Sequence, residues 1–296
     1  MKLTTYLFFF LLFINVPLNT FSQTEKLIKI EDELVALYND LLLSEDNQSR
    51  EAFNTQFYEV LENALLLDES FDYPFDKLLT ISKMLASDKA IRVFTWNLQN
   101  NEGINDFFGI IQLNPKNTRG HIPKVIPLLN QKGELIKAEN KSFNPDKWPG
   151  AVYYQIISIK KGKQHYYVLP GWRGIDNGLT QKVIEVIHLN GDNVKFGYPV
   201  FKNEKKMQRR FVFSYNAKAT MHLAFDEKKE QFIFDHLAPS SNLVQGQYRF
   251  YGPDGSYDAI KFEKKNWEYI PNIDAKNQEK DSDLFYTPAG KPVIEE

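Results

Sequence analysis

The chain has 296 residues, with 36 Lys and Arg against 38 Asp and Glu, five His and no Cys; 43% are hydrophobic and 25% charged. This balance is that of a folded globular protein and excludes collagen-like and intrinsically disordered classes. Near-neutral charge argues against a nucleic-acid partner, and the absence of cysteine excludes disulfide frameworks, thiol catalysis, thiolate zinc sites and iron–sulfur clusters.

Lys2 leads into an unbroken apolar run over residues 6–14, followed by Pro17 and by Thr20-Phe21-Ser22. A positive start, a short apolar stretch and small residues three apart are the parts of a secretory signal peptide, expected over residues 1–22 with cleavage near Ser22 and Gln23. The run is too short to span a bilayer, which takes about 20 apolar residues, and no later segment approaches that length. The mature chain is therefore expected to be exported and released on the far side of the membrane.

Residues 23–89 read as a helical region. Leu27, Ile30, Leu34, Leu37 and Leu41 alternate spacings of three and four, which makes one apolar stripe. Phe53, Phe57, Val60, Leu61, Ala64 and Leu65 make a second, with Ser49 as the expected N-cap. Asp72 and Pro74 predict a third helix, with Phe75, Leu78, Leu79 and Leu85 facing inward. An exposed stripe on the first helix would suit docking to a membrane-machinery subunit.

Residues 90–271 read as an antiparallel β-rich domain, because the period changes to 2. Residues 92–96 and 107–112 are strand-like, whereas 114–150 carries five of the fourteen prolines and reads as irregular with one short strand. Hairpins follow over 151–169 and 182–201, the second turning at Asn190-Gly191, and then strands over 210–215, 221–225, 231–236, 257–262 and 267–270. Residues 272–296 are a polar tail. The fold class expected is α+β: a helical N-terminal layer followed by a large antiparallel sheet, sandwich or barrel-like β-domain. Two domains meeting near residue 90 are the alternative.

The chain lacks G-x-S-x-G, H-E-x-x-H, G-x-x-x-x-G-K-[ST] and G-x-G-x-x-G. Ser158-Ile159-Lys160-Lys161 matches S-x-x-K but falls in a strand pattern, where that motif's serine does not sit. No two histidines stand at ligand spacing, so neither a metal nor a cofactor is expected.

Two places are candidate sites. In the loop 171–178, Trp172 offers a flat face, Arg173 a fork for a carboxylate or phosphate, and Asp176 and Asn177 can orient hydroxyls. The plainer reading has Trp172 plugging the sheet end and Arg173 pairing with Asp176. The second place is His236, which alternation puts on the face of Phe232 and Phe234, with Asp254 or Asp258 as its orienting carboxylate. Its plainer reading takes Asp254-Gly255 as turn chemistry and His236 as a satisfied core residue. The basic stretch 202–210 reads as a solvated connection, and Tyr153-Tyr154 and Tyr166-Tyr167 as sheet packing with one ring of each pair half-exposed.

The segments 166–174, 182–201, 210–226 and 232–262, with Phe21-Ser22-Gln23, resemble uncharacterised exported proteins of the Bacteroidetes type over about residues 90–270. The resemblance implies a periplasmic or surface location and no known activity. The expected function is a non-catalytic envelope binding or interaction module for a glycan, a peptide or an envelope protein. The alternative is a secreted hydrolase with a spatially assembled His/Asp site.

Overall fold

The computed structural model describes residues 18–131, 135, 138–161, 164–203, 206–264 and 266–274. Two helices open it, α1 (Leu18–Leu43) and α2 (Asn47–Leu65). Leu27, Leu34 and Tyr38 of α1 pack with Phe57, Leu61, Ala64 and Leu65 of α2, and Leu41 is buried as well, so the first helix turns its stripe inward rather than toward a docking partner. Part of the expected leader, residues 1–17, lies outside the described residues. Asp46, not Ser49, caps α2: its Oδ1 accepts the Ser49 backbone N–H at 2.8 Å.

The third predicted helix does not form. Residues 66–81 run through turns, and Ser82–Leu85 is a strand, β1. Pro74 biases the residue before it away from the helical region, and Phe75 has φ 55°, which no helix accommodates. The carbonyls of Ser70, Phe71 and Tyr73 find a partner elsewhere, in the guanidinium of buried Arg92. Phe75 and Leu78 are buried as their spacing predicts, but Leu79 is 84% exposed.

The strands form three sheets. The first has the order β1-β2-β3-β4, with β2 (Ile91–Gln99), β3 (Asn105–Leu113) and β4 (Lys124–Leu128). The second contains β5 (Val152–Tyr153), β6 (Ile157–Lys161), β7 (Gln164–Gly174), β8 (Leu179–Asn190), β9 (Asn193–Phe196) and β12 (Phe211–Asn216), ordered β12-β8-β7-β5 with β6 on β7 and β9 on β8. The third has the order β11-β10-β16-β15-β14-β13, with β10 (Phe201–Asn203), β11 (Lys206–Gln208), β13 (Leu223–Asp226), β14 (Gln231–Pro239), β15 (Tyr251–Glu263) and β16 (Asn266–Ile273). Neighbours pair antiparallel except β10 with β16, which run parallel where the chain crosses from the second sheet to the third. The molecule is thus α+β, helices first and antiparallel sheet thereafter.

Alternation assigns each face. In β2 and β3, Val93, Phe107 and Ile111 face the second sheet, while Phe94, Trp96 and Ile110 face the helices. In β7 and β8, Tyr167, Leu169, Val183 and Ile187 meet the first sheet, while Tyr166, Val168, Ile184 and Val186 meet the third. The second sheet is therefore the middle layer, covered on both faces, and its strands read as continuous apolar runs for that reason. Both Tyr166 and Tyr167 are consequently buried, where spacing predicts one half-exposed ring, whereas Tyr153 is buried and Tyr154 exposed in the split expected of each pair. Each such aliphatic side chain contributes about 1.5–3 kcal/mol by leaving water. The helices are fixed to this stack through Trp96, whose Nε1 donates to Asn54 Oδ1 at 2.8 Å.

Candidate functional site

At one end of the middle sheet the expected 171–178 loop is shorter: residues 171–174 complete β7, paired with β8, and only 175–178 connect the two strands. Register places Arg173 beside Gln181, and Gln181 beside Ser214 on β12. These three point to one face and form a buried chain: Arg173 Nη1 donates to Gln181 Oε1, and Gln181 Nε2 to Ser214 Oγ at 2.8 Å. Arg173 also donates to the carbonyls of Pro149 and Gly150 and is 1% exposed. Its fork is therefore not presented to a ligand; it closes the irregular segment against the sheet.

Asp176 does not pair with Arg173. Its carboxylate takes both terminal nitrogens of Arg249, at 2.7 and 2.6 Å, and accepts the N–H groups of Gly178 and Leu179. The Arg249 bonds, helped by those amides, pull its pKa down to about 2. Asn177 donates to the carbonyl of Glu102 at 3.1 Å. It lies so close over Gly103 that a Cβ there would come within 2.0 Å of its amide oxygen. The loop is thus anchored to the β2–β3 hairpin on one side and to the 240s segment on the other.

The opposite face of the same sheet end is open. There Trp172 stands beside Lys182, Lys182 beside Phe213, and Gly174, Thr180 and Tyr215 form the next row. These rows floor a cleft of about 480 Å³, walled by Gln99 and Asn105 from the first sheet and by 217–221 on the way to the third. That volume lies within the range that holds a small ligand. Trp172 is half-buried, edge-on to Phe107 at 6.1 Å. The half-buried Lys182 ammonium sits 5.7 Å from the Tyr154 ring centre, and among the described residues no hydrogen bond or ion pair engages it. Burial lowers its pKa, opposed by the charge of Asp235. Burial also pushes the Tyr215 hydroxyl up to about 12, so it is a neutral donor.

Of the four loop residues singled out by sequence, Trp172, Asp176 and Asn177 line this cleft and Arg173 does not. Lys182, Tyr215, Asn105 and Thr220 went unrecognised. Lys182 carried one usable signal: a hairpin pairing Gly174 with Thr180 must also pair Trp172 with Lys182.

The second candidate place is partly assembled. His236 Nδ1 lies 2.8 Å from Asp258 Oδ2, which also accepts the Tyr269 hydroxyl at 2.6 Å, while Asp258 Oδ1 accepts the Asn272 N–H at 2.8 Å. Burial would raise the Asp258 pKa, but the bonds from Tyr269, His236 and Asn272 together lower it. Asp254 is turned to its own turn, accepting both the N–H and the hydroxyl of Ser256. The His236 side chain is 43% exposed, so it is not sealed in apolar surroundings. It does not line the 480 Å³ cleft.

Two other hollows are less organised. One of about 990 Å³ runs along β13 and β14, where Asp226 and Asp235 accept backbone N–H groups of Lys228, Lys229 and His222. Another, of about 520 Å³, lies beneath Tyr248 and Phe250. Among the described residues no helix is long and apolar enough to cross a membrane, and no three acidic or histidine side chains converge as metal ligands. Comparison with protein-family models, curated proteins and solved structures gives no match.

Proposed function

We propose that the protein is an exported, non-catalytic binding module that holds a glycan in the cleft over Trp172, Thr180 and Lys182. The observation that carries this reading is the open face itself. The Trp172 ring, the Lys182 ammonium, which no described residue engages by a hydrogen bond or ion pair, and the polar side chains of Thr220, Gln99 and Asn105 line a concavity of about 480 Å³. Sugars are held by that combination of a ring face and orienting polar groups. The export signal in the first 22 residues supports an envelope or extracellular setting. The test is a titration of the purified protein against a panel of envelope and dietary oligosaccharides, by calorimetry. At least one binds the native protein, and Thr220→Trp, a change at an exposed rim position, abolishes that binding by filling the cleft. Binding that survives Thr220→Trp removes the cleft from the account.

The His236–Asp258 bond favours a second reading, a hydrolase in which Asp258 orients His236 as a general base for water. It predicts ester, glycoside or peptide hydrolysis that is lost in His236→Gln while the fold is kept. Hydrolysis unaffected by that change removes His236 as the base.

A further inference from the structure

We infer that the glycan taken by this cleft is acidic, and that Lys182 selects it by binding a uronate carboxylate. This deepens the proposed binding function and rests on it. Three charged side chains line the cleft: Asp176, Lys182 and Lys218. Asp176 is neutralised by both arms of Arg249, so it neither repels an anion nor serves a cation. Lys218 is exposed at the rim and remains solvated. Lys182 differs from both, because its stem lies between Trp172 and Phe213 on neighbouring strands and its ammonium reaches the cleft half-withdrawn from water.

The groups that face Lys182 give it a cation–π contact but, among the described residues, no hydrogen bond or ion pair. The Tyr154 ring is 5.7 Å away, and the Tyr154 hydroxyl is committed to the carbonyl of Leu223. The Tyr215 hydroxyl stays protonated, as above. Asp235 is the nearby acid, but its Oδ2 accepts the His222 N–H at 2.6 Å and it lines the hollow on the far side of β14. A cation held half-dry without a counter-ion is unfavourable, and a carboxylate entering the cleft relieves that penalty whereas a neutral sugar does not. A single ammonium acts as a point charge, suited to one carboxylate per site rather than to a bidentate grip. Hydroxyls and amides around it fit the remaining ring substituents of a hexuronate better than a peptide chain end.

The test uses the full chain and three probes: a tetragalacturonate, the neutral maltotetraose, and trialanine as a peptide carboxylate. Calorimetry is run between about 25 and about 250 mM salt, since exposed ion pairs weaken with ionic strength. Tetragalacturonate binds about tenfold or more tightly than maltotetraose, and Lys182→Met removes most of that margin while Lys182→Arg keeps part of it. Thermal unfolding of both variants checks that the fold is retained, and Lys182→Gln serves if the Met variant fails that check. Equal affinity for the neutral and acidic sugars, lost in Thr220→Trp, would overturn the acidic selection while leaving glycan binding intact. Tetragalacturonate binding indifferent to Lys182 overturns the residue's role. Tighter binding of trialanine than of tetragalacturonate overturns the sugar itself, and binding of neither sugar at the cleft fails the underlying reading.

Discussion

Arginines show best how a side chain's type and its use come apart. Arg92, Arg173 and Arg210 are all buried, and each gathers backbone carbonyls from a segment that has no ladder of its own. Arg210 stands in the basic stretch 202–210, where a solvated surface is the natural expectation. Instead it is fully buried. It pairs with Glu185 through Nε at 2.9 Å and Nη2 at 3.2 Å, donates to the carbonyls of Ala138 and Lys141, and lies 4.7 Å from the Phe143 ring centre. Composition shows that a guanidinium is present, but where five donors end is decided by chain segments far apart in sequence. Removing one partner of a buried pair strands the other, which costs about 3–5 kcal/mol. Arg210→Met is therefore expected to lower the unfolding free energy in urea by about that amount. A loss below about 1 kcal/mol would show that Glu185 reaches water in the native protein.

Elements were legible where one face alone decided their pattern, and illegible where a local signal had two uses. The stripes of α1 and α2 were readable because each buries one regular row, whereas β2, β3, β7 and β8, buried on both faces, were readable as strands from their apolar, β-branched and aromatic runs. The predicted third helix failed because apolar residues at helical spacing also suit a turn-rich segment pinned by Arg92. Asp254-Gly255 read as a loop, yet β15 begins at Tyr251 and pairs with β14 on both sides of it. Residues 254–256 bulge out opposite His236, between the pairs Asp235–Tyr257 and Leu237–Pro253. The bulge turns His236 and Asp258 toward each other, so the one assembled part of that site depends on turn chemistry inside a strand. Gly255 carries it, at φ +91°. Gly255→Ala is expected to cost about 1–2 kcal/mol. Gly252→Ala, with only Ala219 at 3.7 Å and no positive φ, is expected to be near neutral. Equal melting temperatures for the two variants would contradict this account of the bulge. At the other hairpin, Asn190 pairs with Asn193, so the two turn residues are Gly191 and Asp192, one place later than the Asn-Gly signal suggests; positive φ falls on Gly191.

At the scale of the molecule, the middle sheet is what the remaining parts share. One core lies between it and the first sheet, another between it and the third, and the helices cover the first sheet's outer face. The cleft borrows a wall from the first sheet, a floor from the middle one and a rim from the approach to the third. It exists only if the three sheets hold as one body, since its lining residues come from all three layers after residue 90. Alternation gave each strand its period, but it could not say that β7 and β8 are covered on both faces, because a run of apolar residues fits a buried strand of any sheet. Three buried tryptophans report on the three interfaces: Trp96 beneath the helices, Trp148 between the first two sheets, and Trp267 between the last two. Fluorine NMR of 5-fluorotryptophan-labelled protein through a urea titration follows all three, with the four tryptophan resonances assigned by single Trp→Phe variants. The layers acting as one body predict loss of the three native resonances at a single midpoint. Loss of the Trp96 resonance while Trp267 stays native would contradict it, and with it the cleft that spans them.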